Sequence, residues 1–433
     1  MQIRRRSFLA GAAVMAAAAG CSSNTAGTTA SGSASGAASG GAGGDVGIFT
    51  WWADGSEKEA LDALVALFKK NYPNDNFVNL AVAGGAGSNA KAKLASDLAN
   101  GNPPDSFQGH AGAELTDYID NNQVEPVDDL LAELGGASVF PKTLLDLITV
   151  GGHIYSIPCD IHRANMVWTN TSLLSKAGIS TDPADVAEWL DDLEKVKGSG
   201  VNTPLSIGGT WTQTELLESI LAAELGQQKY TALFSKSSSW TGGDVTQAIE
   251  DFKKVLTYAN TASDGDDWPA PTDMVINGQA AYNLMGDWAL AEFTSKGQTY
   301  GKEFSAFPLN GNGEKLFDFL ADSFTLPVGA KNPGGTKDWL HLVGGAEGQL
   351  TFNLKKGSIP PRTDVPSSSF PEYQQKTMAS FKSDKIVPSI AHGAAVSLAW
   401  SSEINTAVSQ FYQSRNTAAL QSALAAAHDK YAA

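Results

Sequence analysis

Val46-Gly47-Ile48-Phe49-Thr50-Trp51-Trp52 is a short apolar run followed closely by Asp54, Gly55 and Ser56. Its length and its β-branched and aromatic content predict a buried strand. Ser56 and Glu59 have the spacing of a capping box. Beyond them Leu61, Leu64, Leu67 and Phe68 recur at helical spacing until Tyr72-Pro73 ends the helix. Val78, Leu80 and Val82 then alternate with polar or small neighbours as a second strand. Gly84-Gly85-Ala86-Gly87 turns the chain into a helix carrying Ala92, Leu94 and Leu98, stopped by Gly101-Asn102-Pro103-Pro104. A third strand is expected over Asp105 to Gln108. Strands alternating with helices predict an α/β fold with a mostly parallel sheet. Ligands bind such sheets beyond the carboxyl ends of the strands. The junctions Trp51-Trp52, Gly84 to Gly87 and Gln108-Gly109-His110 are therefore the first places to look for a site.

The body from Asp45 to Ala433 has the length of two ordinary domains, and 42% hydrophobic residues with 18% charged allow a large core. Its middle is richer in helix, with amphipathic stretches over Pro183 to Lys197 and Thr214 to Leu225. A strand over Ala281 to Met285 ends in Gly286-Asp287-Trp288-Ala289, and another is expected from Phe319 to Pro327.

The first twenty residues have the make-up of an export signal. Arg4, Arg5 and Arg6 form a positive head before the apolar stretch from Phe8 to Ala19, and Arg5-Arg6-Ser7-Phe8-Leu9 fits a twin-arginine pattern. That stretch falls short of the roughly 20 apolar residues needed to span a bilayer. Ala18-Ala19-Gly20-Cys21 looks like a lipobox, in which Cys21 is acylated; the alternative is ordinary cleavage near Ala19. Residues 22–44 are nearly all Ser, Gly, Ala and Thr, a flexible tether of about 25 Å reach. The expected place is outside the cytoplasm, lipid-anchored to the outer face of the cell membrane.

Loss of the three signal arginines takes the formal charge from −16 to −19, which repels nucleic acid and anionic lipid heads. Any membrane contact is therefore expected through the anchor alone. With Cys21 in the anchor only Cys159 remains, so no intramolecular disulfide can form. The chain has no H-E-x-x-H, G-x-S-x-G or P-loop, and its six histidines show no metal-ligand spacing. Neither a metal nor a cofactor is expected. The ten tryptophans carry more information, because indole faces beside carboxylates and amides hold neutral sugars. Trp51-Trp52 with Asp54 and Glu57 puts both elements within seven residues, although adjacent tryptophans can also simply pack a core.

Further segments carry a resemblance. They are Phe49-Thr50-Trp51-Trp52-Ala53, Ala83 to Ala90, Gly101 to Gln108, Gln108-Gly109-His110-Ala111-Gly112, Ile161 to Trp168, Asn283 to Ala289, Asp322-Ser323-Phe324, Phe352 to Ile359 and Ala391-His392-Gly393-Ala394. In that order they resemble the extracellular solute-binding proteins of carbohydrate ABC importers, and within them the bacterial glucose-, galactose- and mannose-binding branch. The resemblance implies the two-lobe, type II periplasmic-binding-protein fold, closing at a hinge on a ligand in the interlobe cleft. Lobe 1 would hold residues 45–158 plus about 303–355, and lobe 2 residues 159–302 plus about 356–433.

It also implies a site. Trp51 and Trp52 would stack on the sugar ring, Glu57 would accept hydroxyl hydrogen bonds, and His110 would donate one. Trp268 and Trp288 would close over the sugar, and Asp322, Lys356 and His392 would take further hydroxyls, with Lys355 an alternative to Lys356. Asp287 and His162 would be structural, and Trp211, Thr212 and Gln213 would touch either ligand or the lobe interface. The implied protein is a monomer without enzymatic activity that binds a monosaccharide and docks on ABC permease subunits. The readings set against it are a binder of a disaccharide or other sugar derivative, a glycoside hydrolase and a surface adhesin.

Overall fold

The computed structural model describes residues 43–83 and 88–432. Cys21, the tether and the Gly84 to Gly87 turn lie outside the described residues. Strands β1 to β14 and α-helices α1 to α16 number the described elements in chain order.

The first sheet has the order β2 (Asn76–Asn79), β1 (Asp45–Phe49), β3 (Ser106–His110), β13 (Asp322–Thr325) and β6 (Ser156–Pro158). The first three strands are parallel, and β13 is antiparallel to both its neighbours. Val46, Ile48 and Phe49 are all buried, as expected of a strand covered on both faces. Helix α1 (Gly55–Asn71) lays Leu61, Leu64 and Phe68 into the same core, where Phe68 meets Trp339 edge-on at 5.7 Å. Burying each such side chain stabilises the fold by roughly 1.5–3 kcal/mol. The expected capping box does not form. The helix begins one residue before Ser56, which is buried in the first turn with its hydroxyl unbonded, and Asp54 stands at the N-cap without a side-chain cap.

The second sheet has the order β11 (Phe304–Pro308), β8 (Met166–Asn170), β10 (Ala280–Leu284) and β9 (Thr203–Ser206). Val167, Leu205 and Tyr282 pack there with Leu217 of α8 (Thr210–Ala232), with Phe252 and with Trp400 of α15 (Leu398–Ser414). A third sheet, β14 (Lys385–Pro388), β12 (Leu316–Leu320) and β7 (His162–Arg163), joins distant parts of the chain. A small hairpin of β4 (Thr149–Val150) and β5 (His153–Ile154) completes the set.

Two expectations need correction. Residues 304–308, assigned above to the first lobe, pair with β8 in the second sheet, because Ser305 and Phe307 match the register of Thr169 and Val167. The strand expected over Phe319 to Pro327 is two strands. β12 belongs to the third sheet and β13 to the first, and the chain changes sheet at Ala321. That break sets Asp322 at the first position of β13, opposite His110.

Candidate functional site

The strand ends of the first sheet and the loops of the second face one half-open cavity. Trp51, Trp52, Glu57, His110, Trp268, Trp288, Asp322, Lys356 and His392 all line it. The chain gathers them from separate elements. Trp51 and Trp52 follow β1, Glu57 stands in the first turn of α1, and His110 ends β3. Lys356 closes α13 (Ala346–Lys356), Trp268 and Trp288 are the N-caps of α10 (Pro269–Ile276) and α11 (Ala289–Ser295), and His392 follows β14. Lys355 points instead to the exposed surface, so the cavity lysine is Lys356.

Packing explains why these rings hold their positions. Trp52 is wedged against Phe352 at 4.5 Å and Phe324 at 5.7 Å, while Trp51 tilts over His110 at 5.0 Å. The Trp288 ring folds back over Gly286, where a Cβ would come within 2.1 Å of it, so only glycine fits there. Lys356 Nζ joins the two sides. It donates to Glu57 Oε1 at 2.5 Å and lies 5.8 Å from the Trp52 ring centre and 5.7 Å from that of Trp288. Burial works against the ammonium, but Glu57 and Asp322 outweigh it and raise its pKa.

A polar network supports the floor. Asp322 Oδ1 accepts from Gln108 Nε2 at 2.8 Å and lies 3.5 Å from His110 Nε2, while the Asp322 N–H donates to Asp160 Oδ1 at 3.0 Å. His162 is bonded through Nδ1 to Asp287, and its Nε2 lies 3.3 Å from Asp160 Oδ2 and 3.8 Å from Asp322 Oδ2. Burial opposes a charged imidazole, yet Asp160 and Asp287 together push the His162 pKa up to about 10. Burial and the Asp160 charge hold the Asp322 carboxyl well above the ordinary carboxylate range. Burial lowers the pKa of His110, and Lys91 adds to this against the pull of Glu114. His392 lies well below the ordinary histidine value because it is buried among His110, Lys91, His162 and Lys356. The cavity therefore holds two neutral imidazoles, the His162 imidazolium, a cationic lysine, carboxyl groups and several indole faces.

The ligand atoms of Asp160, His162 and Asp322 lie within 4.8 Å of one another, a grouping with the shape of a cation site. It was not visible in the spacing of the histidines. His162 is already a cation between two carboxylates, and a metal would first have to displace its ring proton. The grouping is therefore read as a charge clamp holding the floor rigid.

His162, expected to be purely structural, also lines the cavity, as does Trp211, and Asp267 and Leu320 join the lining without having been singled out. Asp160 and Gln108 were missed as supports. The available signal was an acidic residue and a histidine inside the apolar stretch Ile157 to Val167, where an unpaired polar side chain is costly.

The family model for bacterial extracellular solute-binding proteins matches residues 52–350. The chain is similar to an ABC transporter extracellular-binding protein of Pyrococcus horikoshii, with 36% identity over 380 residues, 86% of this chain and 84% of the other. It is similar also to a probable sugar-binding periplasmic protein of Brucella melitensis, with 29% identity over 361 residues, 81% of this chain and 84% of the other. Among solved structures it matches a chitin oligosaccharide binding protein with a TM-score of 0.80 at 20% identity, covering 90% of this chain and 99% of that one. Two lobes, an aromatic cavity between them and a family match across most of the body identify the chain as a member of the bacterial extracellular solute-binding proteins, which bind solutes rather than transform them.

Proposed function

We propose that this protein is the receptor of an ABC sugar importer, that it captures a glucose-, galactose- or mannose-like monosaccharide, and that it hands the sugar to the membrane permease. The observation that carries this reading is the convergence of nine residues from at least seven separate elements on one half-open cavity. Indole faces suit the C–H faces of a pyranose, while Asp322, Glu57, Lys356, His110 and His392 suit its hydroxyl edge. The cleft walls come from both lobes, so sugar stabilises the closed state by its contacts to the second wall. Micromolar or tighter binding corresponds to roughly −8 kcal/mol or more, within reach of stacking plus charge-assisted hydrogen bonds.

A thermal-shift panel on the body from residue 45 onward tests this. A single hexose is expected to raise Tm by several degrees and to be recovered unaltered, with a measurable decrease in the radius of gyration. No shift with any sugar, or conversion of the sugar, refutes the reading.

One observation favours a longer ligand. Trp211 also borders a second, wider groove lined by Lys91, Ser401, Ser402 and Asn405. A shift with disaccharides alone would select that reading. The anchor is part of the same proposal: Cys21→Ser is expected to move most of the protein from the membrane fraction to the medium, and an unchanged distribution would exclude acylation.

A further inference from the structure

Glu218 does not line the cavity, yet its carboxylate organises the loop that carries His392. It stands on α8 and is fully buried. Its Oε2 accepts the N–H groups of Ile390 at 2.5 Å and Ala391 at 2.8 Å, and its Oε1 accepts the Ser389 hydroxyl at 2.8 Å. The Ser389 oxygen is also met by the His392 N–H at 3.2 Å and lies 3.1 Å from His392 Nδ1.

A serine hydroxyl has one proton and two lone pairs. When its proton goes to Glu218, both lone pairs are left for the His392 backbone N–H and for a proton on Nδ1. A neutral imidazole protonated at Nδ1 keeps its lone pair on Nε2. We infer that Glu218 is a positioning residue which, through Ser389, fixes the tautomer of His392 and so makes its Nε2 an acceptor for a ligand hydroxyl. The inference rests on the sugar-site reading only for that last role.

The relay runs in reverse when Glu218 carries a proton. Its Oε1–H then donates to Ser389, the serine proton turns to His392 Nδ1, and the ring proton moves to Nε2. No atom is gained by the ring; one tautomer replaces the other. Burial pushes the Glu218 pKa up to about 7 against the pull of the Ala391, Ser389 and Ile390 donors. The groups facing it are Asp318 of β12, Glu215 and Tyr230 of α8, and His392, with Arg163 behind Asp318. Burial and neighbouring carboxyls hold Asp318 and Glu215 well above the carboxylate range, and Tyr230 lies well above 10. His392 stays neutral, and with a pKa of about 7 Glu218 changes charge between pH 5.5 and 8.5.

The ¹⁵N resonances of His392 report the tautomer without any sugar present. At pH 8.5 the wild type is expected to show the Nδ1–H form and Glu218→Gln the Nε2–H form, since the amide NH₂ donates to Ser389. At pH 5.5 the wild type is expected to approach the variant. Ser389→Ala cuts the relay, so the His392 signature should no longer follow pH, which tests the idea even if Glu218→Gln folds poorly. Glu218→Gln should also weaken binding of the hexose at pH 8.5 by at least tenfold. An Nε2–H wild type at pH 8.5, or a Glu218→Gln variant with an unchanged signature, overturns the proposal. A shifted tautomer with unchanged sugar affinity leaves the relay standing and removes His392 from the sugar site.

Discussion

Asp322→Ala is expected to raise the Kd for the transported sugar about 100- to 1000-fold while the protein remains folded. Asp322 is buried on the cavity wall between Gln108, His110 and His162. A carboxyl there offers a ligand two oxygens in a site largely withdrawn from water, where each hydrogen bond to a charged or strongly polar partner is worth about 1.5–3 kcal/mol. Alanine removes both bonds and leaves the Gln108 amide without its acceptor, so about 3–4 kcal/mol of binding is lost, and each ~1.4 kcal/mol is tenfold in Kd. The fold tolerates the change because burial and Asp160 already oppose ionisation of this carboxyl. Titration calorimetry with the hexose, beside urea unfolding of both proteins, reads the two quantities separately. An affinity within threefold of the wild type would remove Asp322 from the site.

His162→Gln carries the largest expected effect on stability, about 3–5 kcal/mol at pH 7. Removing the ring leaves Asp160 and Asp287 buried without their shared cation, and breaking a buried ion pair from one side has that cost. The pH dependence gives a second signature. The His162 pKa rises from 6.5 in the unfolded chain to about 10 in the folded one. Its contribution is therefore fully present below pH 6.5 and is lost as pH rises through 10. Between pH 6 and pH 9 the wild type should lose on the order of 3 kcal/mol that the variant, having no ring, does not lose. Urea unfolding at the two pH values checks this, and parallel losses in wild type and variant would show that His162 is not the group responsible.

Much of the first lobe was legible because its signals are local. The apolar run at Val46 and the leucine spacing after Ser56 each depend on residues a few positions apart; both elements form, although β1 ends at Phe49 and leaves Thr50-Trp51-Trp52 beyond it. Helix boundaries were less legible. Thr214 to Leu225 lies within Thr210–Ala232, which is two helical segments meeting at a kink where Gly226 takes φ 74°. The candidate site was legible by a different route. Its nine residues came from a family resemblance, and composition alone left Trp51-Trp52 divided between core and ligand. In the structure both line the cavity, and Trp52 is at the same time wedged against Phe352 in the core.

The amino-acid sequence by itself determined the α/β class, the acidic body without a disulfide, and the aromatic and polar groups available to a ligand. These follow from composition and from patterns that repeat within one element. Only the tertiary structure decided that Phe319 to Pro327 divides between two sheets, that residues 304–308 join the second sheet, and that Lys356 rather than Lys355 enters the cavity. It also decided that Asp160, His162, Asp287 and Asp322 meet, and that Glu218 reaches the loop of His392. The physical reason is the same in each case. Local periodicity says which side chains want burial, but strand pairing and the neutralisation of buried charge are settled largely between residues distant in the chain, where a partner exists only after the chain has closed.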